Sequence, residues 1–183
     1  MPAFAPKRVA AAVVSHRGQT PPFGLDTIHL SHEGLAIPQL IIVGGRDRIV
    51  GTELSYRYFR GHWLEGAPWL FATQNDAAHC CTLSAKSLIL SWFNDVLKAG
   101  LKEPDDAFGR AADGSYAFFR KVPSVLIDSG GASVSQAADV TYRRANNPGE
   151  KQSAAGWLPS RETAALWQAF ANLQSDSDQV SIK

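Results

Sequence analysis

Residues 38–51 read PQLIIVGGRDRIVG. Four large apolar residues stand between Pro38 and the Gly44–Gly45 pair with no polar alternation. A strand with one wet face alternates; an unbroken apolar run points to a strand covered on both faces, as in a parallel sheet flanked by helices. Two other stretches share this character: RVAAAVVS (8–15), bounded by Pro6 and the HRGQTPPFG loop, and PWLFATQ (68–74). Between the second and third runs, TELSYRYFRG (52–61) reads as a helix with Thr52 as N-cap and Gly61 just past its end. From Ser84 to Gly100, Leu88, Ile89, Trp92, Phe93, Val96 and Leu97 share one helical face, and Lys98 falls in the last turn. Strands alternating with helices build right-handed parallel units, so the expected fold class is α/β.

Composition narrows the function less. The 183 residues are 45% hydrophobic and 19% charged, ordinary for a globular domain with a real core. A formal charge of +1 offers no electrostatic reason to expect nucleic acid or an anionic membrane as partner. The apolar runs are too short to cross a bilayer. MPAFAPKRVAAAVV has an apolar stretch after Lys7 and Arg8 but ends at SHRG rather than at a cleavage site, so no signal peptide is expected. The compartment stays open, cytoplasmic as the chain stands. Cys80 and Cys81 are adjacent, which suits neither a disulfide framework nor a zinc site and points to two free thiols. No cofactor and no metal are implied.

Beyond Leu101 the pattern changes. KEPDDAFGRAADG reads as a polar linker, SYAFFRKV and ADVTYRR as a hairpin around DSGGASVSQ, and NNPGEKQSAAG as another loop. SRETAALWQAFANL, from Ser160, reads as a helix with Leu166, Phe170 and Leu173 on one face and Trp167 beside them. The expected organisation is a core over 1–101, an extension of hairpin plus helix over 102–175 packed on that core, and a disordered tail over 176–183.

The chemistry concentrates in GGRDRIVG (44–51) and NDAAHCC (75–81). Each follows a buried-type strand directly and carries an ionisable residue in the loop. In open parallel sheets such loops line the ligand crevice, so Asp47 and His79 are expected at neighbouring strand tips. A carboxylate there accepts a hydrogen bond from the imidazole, fixes its tautomer and stabilises the imidazolium formed during proton transfer.

IPQLIIVGGRDRIVG resembles the strand and acid loop of an α/β-hydrolase, and PWLFATQNDAAHCC resembles that family's last core strand and histidine loop. The likeness covers roughly residues 1–100. It implies a partial α/β-hydrolase fold of three parallel strands with flanking helices, a C-terminal hairpin-and-helix extension, and carboxylic-ester hydrolysis by a Ser–His–Asp triad. Asp47 would be the orienting acid and His79 the general base; the spacing of 32 positions from one to the other leaves room for one helix and one strand. The family places its nucleophile on a Gly-x-Ser-x-Gly elbow upstream of the acid, and no such motif occurs in the chain. The oxyanion-hole segment is missing as well. The resemblance therefore implies a truncated or split enzyme beginning inside the helix after the nucleophile, with Met1 an internal methionine, and inactive alone. A small-molecule ester would be its substrate once an upstream segment completes it. The strand at 8–15 would have an unpaired edge prone to self-association. Ser15 ends that strand but lacks the strained elbow that exposes a nucleophile. The alternative is an inactive remnant of the fold, or a binding module.

Other readings are weaker. AAHC around His79 and IDSGG around Ser129 resemble the histidine and nucleophile motifs of chymotrypsin-class proteases, with Asp105, Asp106 or Asp113 as the acid. Only 50 residues separate His79 from Ser129, the helical segments contradict a two-barrel fold, and Asp-Ser-Gly-Gly is turn-forming. His29, His32 and Glu33 in HLSHE suggest a metal set by spacing, but flanking Pro and Gly favour a solvated loop. His16 and His62 stand singly and read as surface or interface residues. Taken alone, Asp47 suits a turn residue capping the next helix and His79 a loop histidine. Cys80 attacking with His79 as base is disfavoured because neighbouring side chains diverge.

Overall fold

The computed structural model describes residues 6–15, 30–45, 47, 52–74, 77, 85–101, 103–113, 115–119, 138–141 and 154–172. A short 3-10 turn, Pro6–Arg8, precedes β1 (Ala12–Ser15), α1 (His32–Ala36), β2 (Gln39–Gly44), α2 (Glu53–Leu64), β3 (Trp69–Gln74), α3 (Lys86–Ala99) and α4 (Pro104–Asp113). β4 (Ser115–Phe119), β5 (Ala138–Thr141), β6 (Ala154–Leu158) and α5 (Arg161–Asn172) follow.

β1, β2 and β3 are parallel neighbours, as the three apolar runs suggest, with Ala12 opposite Gln39 and Gln39 opposite Trp69. Every residue of β2 and β3 is buried, whereas β1 lies at the sheet edge and is only half-buried. The sheet does not end at β3. β6 pairs with it antiparallel, β4 with β6 and β5 with β4, giving one six-stranded mixed sheet in the order β1-β2-β3-β6-β4-β5. The hairpin strands expected after Leu101 are present as β4 and β5, but they extend the core sheet rather than pack on it as an appendage.

Helices cover both faces. Trp69 and Phe71 alternate onto the face that meets α2: Trp69 lies 5.4 Å from the Tyr58 ring and 4.9 Å from His62, and Phe71 lies 5.2 Å from Tyr56 and 5.5 Å from Phe59. α5 lies over the same adjacent strands, β3 and β6, that α2 also touches, so the two helices must occupy opposite faces. α3 packs beside α5. A clasp joins this pair: the Asp95 carboxylate accepts from Ser160 Oγ at 2.5 Å and from Thr163 Oγ1 at 2.7 Å. Ser160 also N-caps α5 by accepting from the Thr163 N–H at 3.0 Å.

The seam between β3 and β6 is short, with Leu70 opposite Gly156 as its register pair. Gly156 sits at φ 119°, and a Cβ there would strike the Trp69 carbonyl oxygen and Leu70 Cα. Side chains supply the hydrogen bonds that a longer ladder would otherwise have provided. Trp167 Nε1 donates to Phe71 O at 2.8 Å and Tyr56 Oη to Ala154 O at 2.8 Å. Trp69 Nε1 donates to Ile37 O at 3.0 Å, tying β3 to the entry of β2. Burial pushes the Tyr56 phenol far up, so it remains a neutral donor.

Several expectations need correction. Residues 104–113, expected as linker, form α4: Pro104 takes the first position and Asp105 and Asp106 lie in the first turn, where a helix start favours both. Residues 154–156, expected as loop, open β6. His32 and Glu33 begin α1, capped by Ser31 accepting from Gly34 N at 3.2 Å, rather than lying in a loop. α2 runs past Gly61 to Leu64, and the left-handed glycine beyond it is Gly66. Leu97, expected on the inner face of α3, is 58% exposed, while Leu88, Trp92 and Val96 are buried and Gly100 ends the helix at φ 60°. Leu173 and the tail 176–183 lie outside the described residues.

Two stability outcomes follow. Gly156→Ala should cost at least ~2 kcal/mol in urea unfolding, since it combines left-handed strain with a backbone collision. Asp95→Ala should cost about 2 kcal/mol by removing the acceptor of two charge-assisted bonds; an unchanged midpoint would show that the clasp is dispensable.

Candidate functional site

The carboxyl ends of β2 and β3 are level, Gly44 opposite Gln74. Gly45 N–H continues the ladder to Gln74 O at 2.7 Å, and Ala77 N–H turns back onto the same oxygen at 3.1 Å. Gln74 O therefore ties together the loops leaving both strands. Asp47 is held in a tight turn by its N–H to Gly44 O at 3.2 Å. It is 4% exposed and not without a partner. A buried carboxylate is costly unless donors surround it, which agrees with Asp47 having a partner.

Other buried polar residues are Thr73 and Gln74 at the end of β3 and Thr52 and Ser55 at the start of α2. Thr73 Oγ1 and Gln74 Oε1 have no hydrogen-bond partner among the described residues. The two side chains point to opposite faces of the sheet, Thr73 toward α2. Reading PWLFATQ as one apolar run missed them. The available signal was its ending in two polar residues before the strand leaves the core.

Of the residues singled out from the sequence, the structure places Asp47 at this edge. His79 lies outside the described residues, as do His16, His29, Cys80, Cys81 and Ser129; Ala77, two positions before His79, is buried. Ser15 ends β1 opposite Ile42, two residues short of the end of β2, and engages a partner. His32 belongs elsewhere: it faces Asp105 at 3.7 Å and stacks on Phe108 at 4.8 Å, linking α1 to α4. The Glu33 carboxyl is held below its usual value by its own backbone N–H and then by Ser31. His62, read as a surface or interface residue, has a side chain only 15% exposed, lying against Tyr58 and Trp69. No group of His, Cys, Asp and Glu among the described residues is arranged to hold a metal ion, and none of the described helices is long and apolar enough to cross a membrane.

A cavity of about 590 Å³ opens at the other end of the sheet, between Arg8, Glu33, Ile37, Leu101 and Ala107. The charged residues that line it, Lys7, Arg8, Glu33 and Glu103, are all exposed, which describes a solvated groove rather than a built site. Asp47, Thr73 and Gln74, all buried, lie at the opposite end of the sheet.

Comparison of the chain with protein-family models, curated proteins and solved structures found no match.

Gln74→Met, which keeps the volume and removes an unpaired buried carbonyl, should raise unfolding free energy by about 1 kcal/mol. Urea denaturation reads the change, and a loss of stability would mean that the amide is engaged.

Proposed function

We propose that this chain carries the acid–base half of an α/β-hydrolase-type carboxylic-ester hydrolase. Asp47 is the orienting acid and His79 the general base, acting on a serine nucleophile outside these 183 residues. The observation that carries the reading is a buried Asp47 in a turn directly after a central parallel strand, level with the end of β3, which lies five residues before His79 in the sequence. The order β1-β2-β3, parallel and joined by segments containing α1 and α2, also agrees with the strand, acid, strand, histidine sequence of that family.

In this mechanism the imidazole of His79 takes the proton of the attacking hydroxyl and returns it to the leaving alcohol. Asp47 accepts from the other ring N–H, holding the tautomer and stabilising the imidazolium; it is not itself protonated. The substrate is a small-molecule ester, and no metal or cofactor enters.

The second reading is a binding module without chemistry. It is favoured by the continuation of the sheet through β6, β4 and β5, which surrounds β3 with a core of the chain's own residues.

Co-expression with an N-terminal α/β-hydrolase segment that carries the Gly-x-Ser-x-Gly elbow, followed by assay on short-chain p-nitrophenyl esters, separates the two. Hydrolysis is expected from the combination and not from the chain alone. His79→Ala and Asp47→Asn should each lower kcat by about 10⁴. A combination that binds esters without hydrolysing them, or hydrolysis indifferent to His79→Ala, would sink the triad reading.

A further inference from the structure

α3 is apolar on two sides. Leu88, Trp92 and Val96 are buried in the core, as the inner face of a packed helix requires. The outer side carries Leu90 and Leu97, 55% and 58% exposed, with Phe93 half-buried between them. Of the three large apolar side chains that lie exposed among the described residues, two are therefore on this one helix, seven positions apart. Steps of three and then four residues put Leu90, Phe93 and Leu97 in one seam about 10 Å long, the pattern by which a helix meets another helix. One exposed leucine needs no explanation, but a helix that is apolar all round is built to be covered on both sides.

The charges on the helix decide what would cover it. KSLILSWFNDVLKA holds three charged residues, Lys86, Asp95 and Lys98. Asp95 turns to α5, where Ser160 and Thr163 donate to its carboxylate. Both lysines are exposed, Lys86 one turn before Leu90 and Lys98 directly after Leu97. The outer side thus presents an apolar seam with a positive charge at each end and no acid of the helix itself to balance it. That arrangement opposes a second copy of the chain. Antiparallel seams would bring Lys86 of one copy within about a turn of Lys98 of the other, and parallel seams would set each lysine against its counterpart. Carboxylates flanking a partner's seam would instead answer both lysines.

We propose that the outer seam of α3 is a docking surface for an acidic amphipathic helix of a partner protein, with Leu90, Phe93 and Leu97 as apolar anchors and Lys86 and Lys98 as charge contacts. About two helical turns make a small contact, suited to a weak, exchangeable complex rather than a permanent one. None of this depends on chemistry at Asp47 or His79.

The test uses the full chain and two synthetic helical peptides, each about four turns long with leucine at the seam positions. One carries glutamate at the flanking positions, the other lysine. In a nitrogen-15 NMR titration the glutamate peptide should shift the amides of α3, with micromolar affinity that weakens as salt rises to ~0.5 M. The lysine peptide should bind about tenfold more weakly or worse. Leu90→Gln with Leu97→Gln should abolish binding and leave Tm unchanged or higher, since both side chains are exposed. Lys86→Glu with Lys98→Glu should reverse the preference in favour of the lysine peptide.

Failure of both peptides to bind, equal binding of the two, or amide shifts centred away from α3 overturns the proposal. So does a concentration-dependent dimer in sedimentation that Leu97→Gln abolishes, which would make the seam a contact between copies. Shifts on α3 produced by phosphatidylserine vesicles and by neither peptide overturn it too, and would assign the surface to a bilayer.

Discussion

The approach of β6 to β3 at Gly156 is the constraint on which the rest of the architecture depends. Gly156 adopts a left-handed conformation with its backbone against Trp69 and Leu70, where any Cβ would collide. Through that contact the parallel strands β1, β2 and β3 become continuous with the antiparallel strands β6, β4 and β5. Without it β3 would be a sheet edge. With it, β3 is central, and all six of its residues are buried.

A short seam leaves strand carbonyls without ladder partners in a buried place, where each must be satisfied. The aromatic residues meet this need. Trp167 and Tyr56 serve the carbonyls of Phe71 and Ala154 from opposite helical layers. Each buries a large ring while its polar tip repairs the backbone, so packing and hydrogen bonding are met by the same side chain. The helices are thereby registered on the sheet, α2 through Tyr56 and α5 through Trp167.

Much of the parallel half was legible because its signals are local. PQLIIVGG and PWLFATQ read as buried strands since no residue in their middles tolerates water, and Gly100 marks the end of α3 because a left-handed turn favours glycine there. The antiparallel half was less legible. AAGWL lacks β-branched residues and contains a glycine, so by propensity it reads as loop; it is a strand because β3 and β4 lie on either side of it. KEPDDAFGRAADG was misread because proline and aspartate both open helices and form turns, and only the packing of α4 on α1 decides between them. For the candidate site, Asp47 was singled out from its position after an apolar run, while the buried polar Thr73 and Gln74 were hidden inside one.

By itself the sequence determined that three apolar strands alternate with helices in a parallel arrangement, and that Asp47 leaves the second of them at its carboxyl end. These features rest on hydrophobic pattern and turn chemistry, which act over a few neighbouring residues. Only the tertiary structure decided that the sheet continues through β6 and that Thr73 and Gln74 are buried at the end of β3. Those outcomes depend on contacts between residues far apart in the chain, such as Tyr56 with Ala154 and Leu70 with Gly156, whose pairing no local pattern encodes.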